Sequence, residues 1–359
     1  MKQIDINNEW SAGTLASSVA KMLSSEREKW IADRPKTLSI LDLAKKSELH
    51  GTPTYRVNNF PPPVPLMAKR MEAARIWDAD DHLYRDFALS GSAALFGHAR
   101  ADVLESIKEQ LANGLICDWP SEEHASATEL MAQHFGLPIW QFTLSASDAN
   151  RFALRLARVA TGRQKVLVFN GTYHGSQDET HAVLTPDGIA LPKGISRNGF
   201  DIRETTKVVE FNDIEGTRAA LRDRDVAAVL VEPAITTCGS IAMPDPGFHD
   251  AVKRLCDEAG TLLIVDETQT ICAGPGGFTK VFGLQPDIIT MGKWIAGGLP
   301  VGMYGMTRSV AKAVEHYGYG AIGSTLAAGA LSTHVMQMML RDVITEKNFA
   351  IMIGLAERY

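Results

Sequence analysis

The sequence predicts an α/β protein built on a mostly parallel central sheet flanked by helices, with a smaller domain drawn from the N-terminal segment. From about residue 140 onward, short runs rich in Val, Ile and Leu alternate with helical patterns such as "SDANRFALRLARVATG" and "PGFHDAVKRLCDEAG". The runs are "KVLVFNG" (165–171), "VAAVLVEPA" (226–234), "TLLIVDET" (261–268) and "DIITMG" (287–292). They are apolar on both faces, as strands covered by helices on both sides must be. At 359 residues, 45% hydrophobic and 22% charged, the chain can bury one large core and a smaller companion.

Residues 1–50 read as an N-terminal helical arm, because the apolar positions of "TLASSVAKMLSSEREKWI" fall three and four apart and "PKTLSILDLAKKSELHG" follows. Residues 51–115 form the N-terminal part of the small domain. They begin with "TPTYRVNNFPPPVPLM", whose prolines suit an extended segment along the edge of a cleft. "ARIWDADDHLYRDFA" then reads as a hairpin turning at Asp80-Asp81, and "ARADVLESIKEQLANG" as an amphipathic helix closed by Gly114. Residues 116–345 make the large domain, and 346–359 open a further helical segment.

Bulk properties narrow the partners. A formal net charge of -6 without a Lys/Arg block gives no footprint for nucleic acid or an anionic membrane surface, so small molecules are expected. Cys117, Cys238, Cys256 and Cys272 are far apart and lack a C-x-x-C pair, which fits a reducing compartment and argues against disulfides or zinc. The ten histidines include no H-E-x-x-H, so no metal is expected. "MKQIDINNEW" lacks a signal-peptide pattern, and no stretch approaches the ~18–20 uninterrupted apolar residues of a membrane span. A cytoplasmic location is the expectation. "GPGGF" (274–278) lacks the G-x-G-x-x-G spacing and opens no clear helix, which argues against a nicotinamide loop.

The strand ends carry the chemistry. Asp266, Glu267, Thr268 and Gln269 follow "LLIV", Glu232 follows "VLV", "NGTYHG" follows "VLVF", and Lys293 follows "IIT". Ligands of such sheets bind at these carboxyl ends. Asp266 and Lys293 could be a buried ion pair. The same two groups also suit pyridoxal phosphate, where a lysine forms a Schiff base and a carboxylate keeps the pyridine nitrogen protonated. "LSASDAN" (144–150) offers small residues ahead of a helix, so that backbone N–H groups and the Ser147 hydroxyl can approach a phosphate; a plain N-cap by Ser147 or Asp148 is the alternative. Tyr173 can stack on a flat ring, although such an aromatic also suits a core, and His174 alone suits a structural role.

"GTYHG", "LIVDETQT" and "MGKWIAGGLPVGMYG", in this order and spacing, resemble the fold-type I pyridoxal-phosphate enzymes called class III aminotransferases. The branch most similar contains glutamate-1-semialdehyde aminomutase and β-amino-acid transaminases. The resemblance spans roughly residues 52–345 and implies a fold-type I PLP-transferase whose PLP-binding domain is 116–345. It makes 346–359 the start of a C-terminal small domain that is largely absent from this chain. It implies Lys293 as the Schiff-base lysine, Asp266 as partner of the pyridinium nitrogen, Tyr173 and Thr268 against the two ring faces, and Gln269 near the ring hydroxyl. It adds Ala146 and Ser147 at the phosphate, in "SASDA" where the family has S-G-T-E-A; His174 and Glu232 are further candidates for binding the cofactor. "GSTLAAGALS" resembles the stretch whose threonine, here Thr325, reaches the phosphate of the neighbouring subunit, which implies a homodimer with shared active sites.

The activity so implied is transfer of an amino group from an amino acid, including a β-amino acid, to a keto acid. Arg56, in "TYRVNNFPPPVPL", is similar in spacing to an arginine that binds the substrate carboxylate; a surface arginine is the alternative. An aminomutase, which moves the amine within one molecule, and a racemase need the same lysine. Ser90-Gly91-Ser92 departs from the Ser-Trp-Gly of the aminomutase. A catalytically silent binding module is a further reading, which Lys293 and Asp266 oppose.

Overall fold

A computed structural model describes residues 12–54, 62–191, 201–237, 241–317 and 323–358. Arg56 lies outside them. The chain divides into two compact units, one of residues 1–89 with 96–100 and one of 90–95 with 101–359.

The first unit contains helices α1 (Ala12–Ala32) and α2 (Pro35–Ala44) and an antiparallel sheet of β1 (Ala68–Glu72), β2 (Arg75–Asp78) and β3 (Leu83–Arg85). Pro35 suits the first turn of α2, where its missing N–H leaves no bond unmade. The cap comes from a distant residue. Asp80 accepts from the Lys36 and Thr37 amides at 2.8 and 2.9 Å. The β2–β3 hairpin turns where the sequence places it, with Asp81 at φ +68°. Buried Asp78 draws this unit together, accepting from the Tyr84 hydroxyl at 2.7 Å while the Arg34 guanidinium donates to the same hydroxyl at 2.6 Å.

The second unit begins with α3 (Ala101–Leu111), α4 (Glu122–Phe135), β4 (Ile139–Thr143), α5 (Ala146–Thr161) and β5 (Lys165–Phe169). A small hairpin of β6 (Val183–Thr185) and β7 (Gly188–Ala190) follows, then β8 (Thr206–Val209), α6 (Ile214–Leu221), β9 (Val226–Val231), α7 (Phe248–Ala259) and β10 (Leu262–Asp266). The rest is α8 (Gly277–Phe282), β11 (Ile288–Met291), β12 (Gly302–Met306), α9 (Arg308–Val314), α10 (Ala330–Met338) and α11 (Glu346–Ala356). Seven strands pair in the order β4-β12-β11-β10-β9-β5-β8, and β12 alone runs against its neighbours. The sequence reading of a mostly parallel sheet therefore holds. It missed β4, β8 and β12, and "GPGGF" does open a helix, the six-residue α8.

Helices cover both faces of this sheet. On one side Phe152, Leu154 and Leu156 of α5 pack against Val166, Val168, Leu230 and Ile264. Burial of each large side chain contributes about 1.5–3 kcal/mol. On the other, Leu221 of α6 and Phe248, Val252 and Leu255 of α7 meet Leu167, Val229 and Leu263. Alternate residues of one strand thus face opposite cores, which is why these runs carry no polar positions. Among the described residues no helix is long and apolar enough to cross a membrane, and no cluster of three metal-ligating side chains occurs.

Candidate active site

Parallel pairing puts the carboxyl ends of β5, β9, β10 and β11 on one edge of the sheet. Two successive antiparallel pairings through β12 bring the end of β4 to that same edge. The segments leaving these strands therefore converge, and they enclose a cavity of about 300 Å³.

Asp266 ends β10 and is 2% exposed. Its Oδ2 accepts from Asn150 Nδ2 at 2.8 Å and pairs with His174 Nδ1 at 2.9 Å, while Oδ1 accepts from the Thr268 amide at 3.0 Å. Burial by itself would raise the carboxyl pKa. The hydrogen bond and positive charge offered by His174, with the bond from Asn150, outweigh it and hold Asp266 below its usual range. The result is a buried carboxylate that stays anionic, with lone-pair capacity left on Oδ1.

Lys293 leaves β11 across Gly292 and begins a tight turn over Lys293–Ala296. Its φ is +61°, a left-handed conformation that costs a non-glycine residue on the order of 1–3 kcal/mol. Trp294, Ile295 and Ala296 behind it are fully buried, whereas Lys293 is half-buried at the cavity. Packing of the three apolar residues thus holds the strained turn that places Lys293 at the cavity.

One end of the cavity is the start of α5. Ser145 is the N-cap and its hydroxyl accepts from the Asp148 amide at 3.2 Å. This corrects the expectation of a cap by Ser147 or Asp148, and it leaves the Ala146 and Ser147 amides, which have no intrahelical acceptor, at the positive end of the helix. Opposite them Gly175 adopts φ +99°, and a Cβ there would stand 2.3 Å from Ser147 Oγ. Space for a ligand here depends on the glycine.

Glu232, just past β9, accepts from the Tyr173 amide at 2.9 Å and the Thr237 hydroxyl at 2.6 Å. Burial is the main influence on it and raises its pKa. Among the described residues, three buried polar atoms in the cavity lining have no hydrogen-bond partner: Glu232 Oε2, His174 Nε2 and Thr268 Oγ1. Buried groups of this kind are normally satisfied, so they are open positions for a polar ligand or water.

The cavity brings together Ala146, Ser147, Tyr173, His174, Glu232, Asp266, Thr268, Gln269 and Lys293. Thr325 does not line it. That residue is exposed, and its carbonyl accepts from the Asp118 amide at 3.0 Å. Sequence reasoning missed Asn150, whose Nδ2 also donates to the His174 carbonyl at 2.9 Å and whose Oδ1 accepts from Thr290 at 2.5 Å. A signal was present. Asn150 is a polar residue beside the apolar face formed by Ala149, Phe152 and Ala153, and it is 1% exposed. Ser92, which reaches Gln269, gave none.

A family profile described as aminotransferase class-III matches residues 57–353. Glutamate-1-semialdehyde 2,1-aminomutase 2 of Halalkalibacterium halodurans is 34% identical over 306 residues, covering 82% of this chain and 69% of that protein. A glutamate-1-semialdehyde-aminomutase from Pseudomonas aeruginosa PAO1, also solved in complex with PMP, superposes with a TM-score of 0.91 at 36% identity, over 96% of this chain and 78% of the other. An omega-transaminase from Sphaerobacter thermophilus gives 0.82 at 29% identity, over 90% and 76%.

Proposed function

The chain belongs to the class-III aminotransferases, and on that premise we propose that it uses pyridoxal 5'-phosphate to move an amino group on a carboxylated amino acid. One observation carries the reading: a single cavity holds an amine on a strained turn (Lys293), a buried anion (Asp266) and the start of a helix.

The residues fit the cofactor. Asp266 Oδ1 can accept from a protonated ring nitrogen, the Ala146 and Ser147 amides with the gap left by Gly175 suit the phosphate, and unpartnered Thr268 Oγ1 and His174 Nε2 face the cavity that would hold the ring. When bound, pyridoxal phosphate supplies an aldehyde that condenses with primary amines and a ring that takes up the electron pair released at the substrate carbon.

The protein's own groups do the rest. Lys293 Nζ takes a proton from the substrate carbon and returns it at the neighbouring position, a shuttle that its four-carbon stem permits. Asp266 keeps the ring nitrogen protonated by remaining an anion. The α5 terminus fixes the phosphate and so the orientation of the bond to be broken. With the cofactor bound, Tyr173 would cover one ring face and Thr268 the other, and Gln269 would lie at the ring hydroxyl.

Two finer readings differ in where the amine goes. Internal transfer, the aminomutase reaction, is favoured by the 34% and 36% identical relatives, and we place it first. External transfer to a keto acid, the expectation from sequence, is supported by the omega-transaminase likeness. In both, Arg56 holds the substrate carboxylate. The active unit is a homodimer in which Thr325 reaches the phosphate of a second copy. Exposed Leu115, Trp119 and Leu326 support that contact, since the two segments carrying them are joined by main-chain bonds from Asp118 to Thr325 and from Ala330 to Ile116.

The deciding experiment supplies purified protein with the cofactor and an amino acid whose carboxylate is offset from its amine, with and without a keto acid. Amine migration without the keto acid supports internal transfer, and dependence on it supports external transfer. No movement of nitrogen under either condition would refute the proposal.

A further inference from the structure

Two residues of the loop after β5 meet the first turn of α5 at the same place. Gly175 lies so close that a Cβ added to it would stand 2.3 Å from Ser147 Oγ and 2.7 Å from Ser147 Cα. Two positions on, Gln177 Nε2 donates to the Ser147 carbonyl at 2.6 Å. That carbonyl can only accept, so the carboxamide has one orientation, with its NH2 on Ser147. The Gln177 main chain is fixed in turn, since its carbonyl accepts from both the amide and the hydroxyl of buried Thr180, each at 3.0 Å.

Stability alone does not account for the bond to Ser147. The Ser147 carbonyl sits in the first turn of a 16-residue helix, where it already accepts from the amide four residues on. Gln177 is 8% exposed, and its Oε1 is buried with no hydrogen-bond partner among the described residues. An unpaired buried carbonyl is costly, and an apolar side chain of the same length would avoid that cost. What the carboxamide adds is a fixed position for Ser147, which lines the cavity. Gln177 is not among the lining residues, so its influence on a ligand passes through Ser147.

We infer that Gln177 is a positioning residue for the phosphate end of the site: it holds the first turn of α5 so that the Ala146 and Ser147 amides and the Ser147 hydroxyl converge on one phosphate. The inference rests on the pyridoxal-phosphate reading above. It entails selectivity, because only a ligand that carries the phosphate uses these groups.

Equilibrium dialysis of the apoprotein against pyridoxamine 5'-phosphate and pyridoxamine, which differ only in the phosphate, tests this. Gln177→Met keeps the side-chain length and removes the donor. It should weaken the phosphorylated ligand by roughly three- to tenfold, the range of one lost hydrogen bond, and pyridoxamine by less than about twofold. Its urea midpoint should not fall, since the unpaired Oε1 is removed with the donor. Should Gln177→Met fail to fold, Gln177→Asn, whose amide is one methylene too short to reach Ser147, carries the same expectation of selective loss. Equal weakening of both ligands, or of neither, would overturn the inference and leave the bond a structural one. Equal affinity of the unaltered protein for the two ligands would instead overturn the reading on which the inference rests.

Discussion

Asn150 Nδ2 lies 2.8 Å from Asp266 Oδ2, and the same NH2 group donates to the His174 carbonyl. Because both acceptors are oxygens without protons, the amide has one possible orientation, and its Oδ1 must receive the Thr290 hydroxyl. One helix residue therefore locks the carboxylate at the end of β10 to the histidine loop after β5. Asn150→Ala should cost about 1–3 kcal/mol of stability by leaving buried partners unsatisfied. It should also lower cofactor affinity by weakening the hold on Asp266. Urea unfolding of the apoprotein and a cofactor titration check the two effects. An unchanged midpoint and affinity would remove Asn150 from the site.

The two buried carboxylates at the end of β10, Asp266 and Glu267, should respond oppositely to pH. Asp266 has a lowered folded-state pKa, so its contribution to stability is present above the unfolded value of 3.8 and is lost as pH falls through the folded value. Glu267 is raised, chiefly by burial, so its contribution is present below 4.5 and is lost as pH rises through the folded value. It accepts from the Thr270 hydroxyl at 2.6 Å and the Phe278 amide at 3.2 Å. Glu267→Gln should lower stability at every pH yet flatten the decline above pH 4.5. An unchanged slope in urea midpoints across that range would show that Glu267 does not titrate there.

Gly175→Ala tests the phosphate end. The added Cβ would meet Ser147 Oγ at 2.3 Å with φ at +99°, so both space and backbone oppose it. A loss of about 1–3 kcal/mol in unfolding free energy is expected from the backbone alone. Cofactor affinity should fall further than stability predicts. Retention of full affinity would mean that phosphate binds elsewhere.

Sharing of sites across a dimer can be tested by mixing Lys293→Ala with Thr325→Ala subunits. Each homodimer lacks one component of both its sites, whereas a mixed dimer has one site with both components. Roughly a quarter of wild-type activity should return on random reassortment. No recovery above the separate proteins would place Thr325 outside a shared site.

Legibility of the sequence followed the physics of each part. The strands β5, β9, β10 and β11 were readable because burial on both faces demands unbroken apolar runs. β12 escaped because "GMYGM" contains two glycines, where close approach matters more than propensity: a Cβ at Gly305 would strike the Trp140 ring at 2.6 Å. Asp266 and Lys293 stood out as charges at or just past the ends of buried strands. The N-cap, expected at Ser147 or Asp148, lies two or three residues earlier, because "SASD" offers three capping side chains and only backbone geometry singles out Ser145. Ser92 was invisible as a partner of Gln269, since 177 positions separate them and no periodicity links a turn to a strand end.

The central claim is that Lys293 is the amine that engages the cofactor. Borohydride reduction of the protein incubated with pyridoxal phosphate, followed by peptide mass spectrometry, tests it most directly. The expected result is a pyridoxyl adduct at one stoichiometric position, Lys293, in "MGKWIAGG". Absence of a stoichiometric adduct, or labelling confined to other lysines, would contradict it.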